Sequence, residues 1–555
     1  MKAREDERQP TRRDWIAIFG AILGAFMAVL DIQITNASLK YIQGGLAASL
    51  DEGTWISTAY LIAEIITIPL SPWLNEIFST RRYLIANCAL FLLFSMLCGL
   101  STSLPEMIIF RAGQGFTGGV FIPTAMTIVL HCLPKSKQPI GLALFGVTAT
   151  FAPAIGPTLG GWLTDTFSWR WIFYINLLPG LVMMWAVWYG LEAEPMELDR
   201  LRRGDWIGIV CMAIGLGSLI TVLEEGERKE WFGNPMIQHL AILAAIFIPA
   251  FIIIELWRKE PFINLRLFLR RGFASVSFMG FVLGLSLYGS IYILPVYLAQ
   301  IQGYDAMQIG EVVMWMGLPQ LAIFPLVPFV MRRVDPRLMV AFGMLMFAVS
   351  CFMNSFLTHD WRIQQFRWSQ LVRAAGQPFM ITPLSALSAG SLPDHEQANG
   401  SAIFNIMRNL GGSVGIAMLS FFLTEREHYH FSIIGNHLTL SSLKLAQRID
   451  ELANLLSPKA AAAALARSQA IAEISNMVRT EAYVMAYSDC FFIIGIALII
   501  AALALFLVRE ASSQQRCRSL VVQSYHLIGR DGSRVFHPRQ TARQAPRAGC
   551  RKCER

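Results

Sequence analysis

The apolar residues of this chain fall in blocks of about twenty, and that spacing narrows the fold before any motif is read. A helix rises about 1.5 Å per residue, so about 20 residues cross a hydrocarbon layer of about 30 Å. Backbone polar groups cannot go unpaired in lipid, so only helices or closed barrels span it, and a barrel shows short alternating segments instead. The blocks lie near 15–37, 54–74, 83–103, 106–131, 139–163, 171–190, 206–224, 236–257, 273–299, 309–331, 337–357, 366–390, 399–423 and 484–508. These fourteen blocks predict an all-α polytopic membrane protein. Charged residues make up only 15% of the chain, against about 25% in a soluble globule. The N-terminus is polar through Asp14 and then enters a full-length block with no small-residue cleavage site, which reads as a first span and not as a signal peptide.

Lysine and arginine in the loops set the expected orientation. Twenty of them, from Lys2 through Arg81, Arg82, Lys135, Arg200, Arg258 and Arg271 to Arg337, fall on one side, and six (Lys40, Arg170, Arg228, Lys229, Arg362, Arg367) on the other. Both termini are therefore expected in the cytoplasm, with residues 1–14 as a cytoplasmic tail and 512–555 as a basic, polar cytoplasmic tail with no hydrophobic period, which reads as disordered. The segment 424–482 is expected as a long extracytoplasmic loop. Within it Leu445, Ile449, Leu452 and Leu456 recur at helical spacing, followed after Pro458 by an alanine-rich stretch, so an amphipathic helix or helix pair is expected there.

The chain repeats itself. Arg111-Ala112-Gly113-Gln114-Gly115 in span 4 is echoed by Arg373-Ala374-Ala375-Gly376-Gln377 in span 12, with Pro123 and Pro383 following. Gly156, Gly160 and Gly161 match Gly411, Gly412 and Gly415, and Arg81 and Arg82 match Arg332, Arg333 and Arg337. Setting spans 7 and 8 aside leaves two six-span halves, 15–190 and 273–508, with the insert at 206–257. An even number of spans in each half makes their topologies parallel, related by an axis along the membrane normal. The halves of major facilitator transporters are related in this way, with the substrate site between them.

Charges inside the blocks single out candidate functional residues, because a guanidinium mid-span costs roughly 2.5–3.5 kcal/mol on insertion scales. Arg111 lies in a span rich in glycine, and its candidate counter-ion is Asp31 or Glu64. Asp31 sits in the middle of span 1, where burial and a nearby cation tune a carboxyl group in opposite directions, as proton exchange requires. Glu64 in span 2 is a second protonation site or a ligand for substrate cations. Glu311 lies near the outer end of span 10, and Arg408 in span 13 is expected to face the cavity or the cytoplasmic gate. The alternative reading of Asp31 is a carboxylate that holds helices together, and of Arg111 a hydrogen-bonder to backbone carbonyls.

Four motifs in order carry a resemblance. Leu30-Asp31-Ile32-Gln33-Ile34-Thr35-Asn36-Ala37, Phe110-Arg111-Ala112-Gly113-Gln114-Gly115, Ala152-Pro153 through Gly156-Pro157 to Gly160-Gly161, and Trp169-Arg170-Trp171-Ile172-Phe173-Tyr174-Ile175-Asn176 resemble the fourteen-span drug:proton antiporters of the major facilitator superfamily, the EmrB/QacA type. The long segment before the last span looks more like the EmrB branch. The resemblance covers roughly 15–508 and implies a proton-coupled exporter of hydrophobic or amphipathic compounds in a bacterial inner membrane, working by alternating access. It gives Arg111 a part in proton transfer and the Gly156-Pro157…Gly160-Gly161 segment a part in gating. It also implies a periplasmic adaptor of the EmrA kind and an outer-membrane channel of the TolC kind. The loop from Pro72 to Arg82 departs from the superfamily's gating motif: Pro72 and Ser79 stand where glycines are usual, Glu76 where aspartate is usual, with Arg81 and Arg82 retained. Lys40 replaces a proline that commonly closes the first-span motif.

The alternative on the same fold is a facilitator or importer of a metabolite, against which the span-5 signature argues. The net charge of +8 belongs to short loops between spans, so nucleic acid is not an expected partner. No G-x-x-x-x-G-K-[ST] loop, nucleophile–base signature or metal-ligand cluster is present, so no enzyme, cofactor or metal site is expected. Cys550 and Cys553 form a lone C-x-x-C, and His428, His430 and His437 read as solvated surface. Trp55, Tyr60, Tyr288, Tyr292 and Trp315 are aromatic candidates for lining the substrate path.

Overall fold

The computed structural model describes residues 9–202, 204–258, 261–393, 396–438, 443–456 and 463–507. Residues 1–8 and the tail expected at 512–555, with Cys550 and Cys553, lie outside the described residues.

The apolar blocks are helices: α1 (Arg12–Ala37), α2 (Trp55–Phe78), α3 (Thr80–Leu100), α4 (Leu104–Cys132), α5 (Gln138–Thr166), α6 (Trp171–Gly190), α7 (Trp206–Glu225), α8 (Pro235–Trp257), α9 (Arg271–Gln300), α10 (Ala306–Met331), α11 (Pro336–Asn354), α12 (Ile363–Gly390), α13 (Gln397–His437), α14 (Leu443–Leu456) and α15 (Ala463–Leu507). Thirteen of these are long and apolar enough to cross a bilayer. The fourteenth expected span, α12, has the length at 28 residues but is less apolar, because Gln370, Arg373 and Gln377 are buried within it.

The glycines of α4 have a packing reason. Gly115 and Gly119 lie against the backbone of Tyr60 and Glu64 in α2, and a Cβ at Gly119 would come within 2.8 Å of the Glu64 carbonyl oxygen. Small residues let spans approach in this way. The helix is interrupted at the same place: its two parts are Leu104–Gly118 and Phe121–Cys132.

Each half has its own apolar core. One runs through α1–α6, with Phe91, Phe121, Phe145 and Phe173 among its largest buried side chains; the other runs through α9–α13 and α15, with Tyr297, Phe347, Phe366 and Tyr487. A third cluster joins Met212, Leu216 and Ile220 of α7 and Phe251 of α8 to Ile65 and Leu70 of α2, so the inserted pair docks on the bundle. The halves meet where α5 packs on α10 and where α2 and α4 pack on α13.

The segment expected as a polar loop at 424–482 is helical over nearly all its described length. α13 runs on for 41 residues and α15 for 45, about 60 and 68 Å at the helical rise, twice the hydrocarbon thickness. The amphipathic helix expected from Leu445, Ile449, Leu452 and Leu456 is α14, which packs on α15. Polar clasps tie the two long helices. Arg426 Nε donates to Asp489 Oδ2 at 2.7 Å, His430 Nε2 lies 2.8 Å from the same oxygen, and Arg479 Nε donates to Glu427 Oε1 at 3.2 Å. The expectation that His430 is solvated is thereby corrected: it is buried against α15, while His428 and His437 are exposed.

Candidate functional site

In α1, a run of small and apolar residues from Gly20 to Leu30 is buried against its neighbours, and Asp31 follows it into the bundle at 1% exposure. Arg111 of α4 faces it, with Nη1 2.5 Å from Asp31 Oδ2, and is itself wholly buried. Of the two counter-ions the sequence left open, Asp31 is the one in contact. The remaining valences are filled by neighbours. Asp31 Oδ1 accepts from Gln114 Nε2 at 3.0 Å and Asn176 Nδ2 at 2.7 Å. Arg111 Nε donates to the Ile56 carbonyl at 3.2 Å, Nη1 also donates to Gln114 Oε1 at 2.7 Å, and the guanidinium lies 4.4 Å from the centre of the Tyr60 ring. Asn176 is held in turn by Ser95, whose hydroxyl donates to the Phe173 carbonyl. Five helices, α1, α2, α3, α4 and α6, thus converge on one ion pair.

Glu64 of α2 is 4% exposed and makes no hydrogen bond to another side chain among the described residues. The charges that act on it are Arg408 of α13, then Arg111 and Asp31. Arg408 is 4% exposed, and its Nε has no hydrogen-bond partner. Glu64 therefore stands between the sealed pair of the first half and an under-bonded guanidinium of the second, on the seam where α2 meets α13.

Arg373, the repeat of Arg111, is elsewhere. It is 3% exposed, lies 4.8 Å from the centre of the Phe347 ring, and donates from Nε to Gln377 at 2.8 Å once that amide is oriented with its oxygen towards the guanidinium. Among the described residues no carboxylate lies within ion-pair distance of it. It lines a narrow, nearly filled cleft between the halves, together with Gln33 and Pro157 of the first half and Ser290 and Gln370 of the second.

Gly156, Pro157, Gly160 and Gly161 lie beside this cleft. A Cβ at Gly156 would meet Gln33 Cβ at 2.5 Å, one at Gly160 the Ile34 carbonyl at 3.0 Å, and one at Gly161 Ala306 Cβ at 3.2 Å. The motif thus presses α5 onto α1 and α10. On the other side of the seam a methyl at Gly310 or Gly317 would collide with Thr158 or Ala154.

Two expected sites are corrected. Glu311 is exposed on α10 and joins no cluster, since it lies one turn into the helix and points outwards. Glu76 does not pair with Arg81 or Arg82 but with Arg200 in the α6–α7 connection, at 2.5 Å, and Arg200 is braced by Glu197 at 2.5 Å. The connection crosses the end of α2, where Glu197 N–H donates to the Ile77 carbonyl, and so brings Arg200 nearer than the next helix. Arg81 lies 5.3 Å from the centre of the Trp188 ring, and Arg82 is exposed. Ser79, at a place where the resemblance has glycine, holds φ +67°.

Sequence reasoning missed Glu224, at the end of α7. It lies beside Ser413 of α13, and its Oε1 has no hydrogen-bond partner. Its neighbour Glu225 accepts from Thr58 of α2 at 2.9 Å. Both stand at the very end of the span, where no motif or mid-span position singles them out. Of the five aromatic candidates only Tyr60 touches the ion pair, and none lines the Arg373 cleft. Beyond α1, Tyr41 donates to Asp165 Oδ1 at 2.9 Å, and that carboxylate raises the phenol above its ordinary range.

The family model of the Major Facilitator Superfamily matches residues 21–416. The chain belongs to this superfamily. It is 35% identical to a protein of Acinetobacter baumannii named colistin resistance protein EmrB, over 80% of this chain and 87% of that one. It is 32% identical to the multidrug export protein EmrB of Haemophilus influenzae, over 75% of this chain and 82% of that one. The crystal structure of the human organic anion transporter MFSD10 shares the fold at a TM-score of 0.51 and 12% identity, over 88% of this chain and all of that one. Membership makes the chain a multi-pass transporter and not an enzyme, with EmrB-type exporters as its relatives. It agrees with two six-helix halves and an inserted pair.

Proposed function

We propose that this protein exports hydrophobic or amphipathic compounds across a bacterial inner membrane in exchange for protons. The observation that carries this reading is the charge cluster at the seam: Asp31 and Glu64 from the first half, Arg111 beside them and Arg408 across from them. Two acids and two guanidinium groups balance. A proton added to either acid leaves positive charge in excess, and the cluster rearranges to accommodate it. Arg111 is the pivot, held by Asp31 and also acting on Glu64. Glu64, which lacks hydrogen bonds, is the acid free to exchange protons, and Asp31 is the one whose release from Arg111 unlocks the first half. Rocking of the halves about α5–α10 and α2–α13 then alternates access.

The charge bias of the loops supports an orientation with both termini in the cytoplasm and the projection of α13, α14 and α15 outside. That projection carries exposed Tyr429, Leu455 and Met477, which suit a periplasmic adaptor of the EmrA kind leading to a TolC-like channel. The names of the relatives support drugs or other xenobiotics as cargo.

The test is drug uptake into inverted vesicles from cells expressing the protein, with and without a proton gradient. Uptake that collapses with the gradient and is lost in Asp31→Asn supports the proposal. Uptake indifferent to the gradient would favour a facilitator on the same fold and sink the antiporter reading.

A further inference from the structure

On the export reading a proton must reach Glu64, which is 4% exposed. Polar groups from three helices line a route to it from the outer end of the bundle. Tyr288 of α9 packs on Gly412 of α13, where a Cβ would meet its ring at 2.5 Å, and its hydroxyl lies in the fields of Arg408 and Glu64. Tyr292 stands one turn outward on the same face of α9. Its Oη is 3.5 Å from Ser420 Oγ of α13 and in the field of Glu224. Glu224 comes from α7 and lies beside Ser413, about 8 Å outward of Arg408 along α13 at the helical rise.

The acids at the end of α7 are bonded differently. Glu225 Oε1 accepts from Thr58 of α2 at 2.9 Å, and its Oε2 accepts from Thr54 at 3.4 Å with Arg228 Nη1 3.8 Å away. Glu227 accepts from Trp231 Nε1 at 2.7 Å, and that ring packs edge-on against Phe421 of α13. Glu224 Oε1 is out of solvent and has no hydrogen-bond partner. A charged oxygen left unpaired away from water is costly, and a proton relieves the cost. Solvent comes within one residue of it: an open basin of about 330 Å³ at the outer ends of α7 and α8 is lined by Glu225, Arg228, Glu230 and Asn234.

We propose that Glu224 is the outer proton-binding residue of the transport cycle, taking a proton from the basin and passing it inward by way of Tyr292 and Tyr288 to Glu64. Hydronium in the basin gives its proton to the Glu224 carboxylate and leaves water. Glu224 returns to the carboxylate as Glu64 becomes the neutral acid, so the inward step adds no net charge to the interior. The inserted pair, which lies outside both six-helix halves, thus brings a functional group to the seam between them. The inference rests on the export reading and its orientation, and adds the route by which protons enter.

The experiment separates two modes of transport in inverted vesicles carrying the full chain, with ethidium as the probe. Gradient-driven uptake passes a proton by way of Glu224 in every cycle. Exchange of deuterated ethidium outside for preloaded ethidium inside, with the gradient collapsed, passes none. Glu224→Gln is expected to slow gradient-driven uptake by about tenfold or more while exchange stays within about twofold. The expected loss is short of the roughly hundredfold or more that a positioned acid contributes to chemistry, because basin water keeps a slower access. Glu224→Asp is expected to restore most of the rate. Tyr292→Phe keeps the ring and removes the hydroxyl; it is expected to slow the gradient-driven mode alone, and it decides the matter if Glu224→Gln fails to fold. Equal slowing of both modes would assign Glu224 to packing and overturn the proposal, as would gradient-driven uptake at the wild-type rate in Glu224→Gln. Either result leaves the export reading standing as long as wild-type uptake follows the gradient. Wild-type uptake indifferent to the gradient would remove the export reading and this route with it.

Discussion

Arg111 Nη1 lies 2.5 Å from Asp31 Oδ2, and neither side chain is reached by solvent. Removing one partner of such a pair leaves a buried charge uncompensated, at a cost of about 3–5 kcal/mol. Asp31→Asn and Arg111→Gln should each lower the unfolding midpoint in detergent by that order. The double variant Asp31→Asn/Arg111→Gln should recover much of the stability and none of the gradient-driven export. Equal losses of stability in single and double variants would contradict the coupling.

Glu64 makes no hydrogen bond that a neutral amide would forfeit. Glu64→Gln also removes the acid that faces the buried Arg408, so it should lower the unfolding midpoint, though by less than Asp31→Asn, which breaks a hydrogen-bonded pair as well. Its export should no longer follow an imposed pH gradient. Retained pH-driven export in this variant would place the exchangeable proton on Asp31 alone.

Ser79 holds a backbone conformation that favours glycine, while its Oγ accepts from the Glu194 N–H at 3.1 Å. Ser79→Ala loses that bond and keeps the strain; Ser79→Gly loses the bond and relieves it. The glycine variant should be the more stable of the two by about 1–2 kcal/mol, read as the difference in thermal midpoint. The reverse order would show that the turn is not strained.

Gly156 lets α5 lie on α1 beside Gln33. Gly156→Ala should cost about 1–3 kcal/mol through overpacking and slow export, because it displaces α5, the helix that also packs on α10 of the other half. Full export with unchanged stability would exclude a tight contact there.

The sequence disclosed the spans because lipid enforces them: a block of twenty apolar residues has few other uses. It disclosed Asp31 and Arg111 because each is an expensive exception within such a block. Other features escaped for physical reasons. Asn176 reaches Asp31 only because the chain turns between Trp171–Tyr174 and Leu177, a placement that no spacing rule conveys. Glu224 stands at the end of its span, and only the packing of α7 on α13 buries it. The extensions of α13 and α15 read as loop in the sequence because hydropathy registers lipid contact and not helicity. Arg373 was visible as a repeat, but that no carboxylate among the described residues pairs with it appears only once α12 is packed against its neighbours.

The continuity of α13 has a mechanical meaning. From Arg408 at the seam to His437 at the tip the helix is unbroken, a distance of about 44 Å at the helical rise. A stiff rod pivoting near Arg408 by roughly 10° sweeps its far end through about 8 Å. The clasps at Asp489 and Glu427 make α15 follow. On the proposed export cycle the projection is a lever arm: an adaptor seated on it would be pushed and released once per turnover.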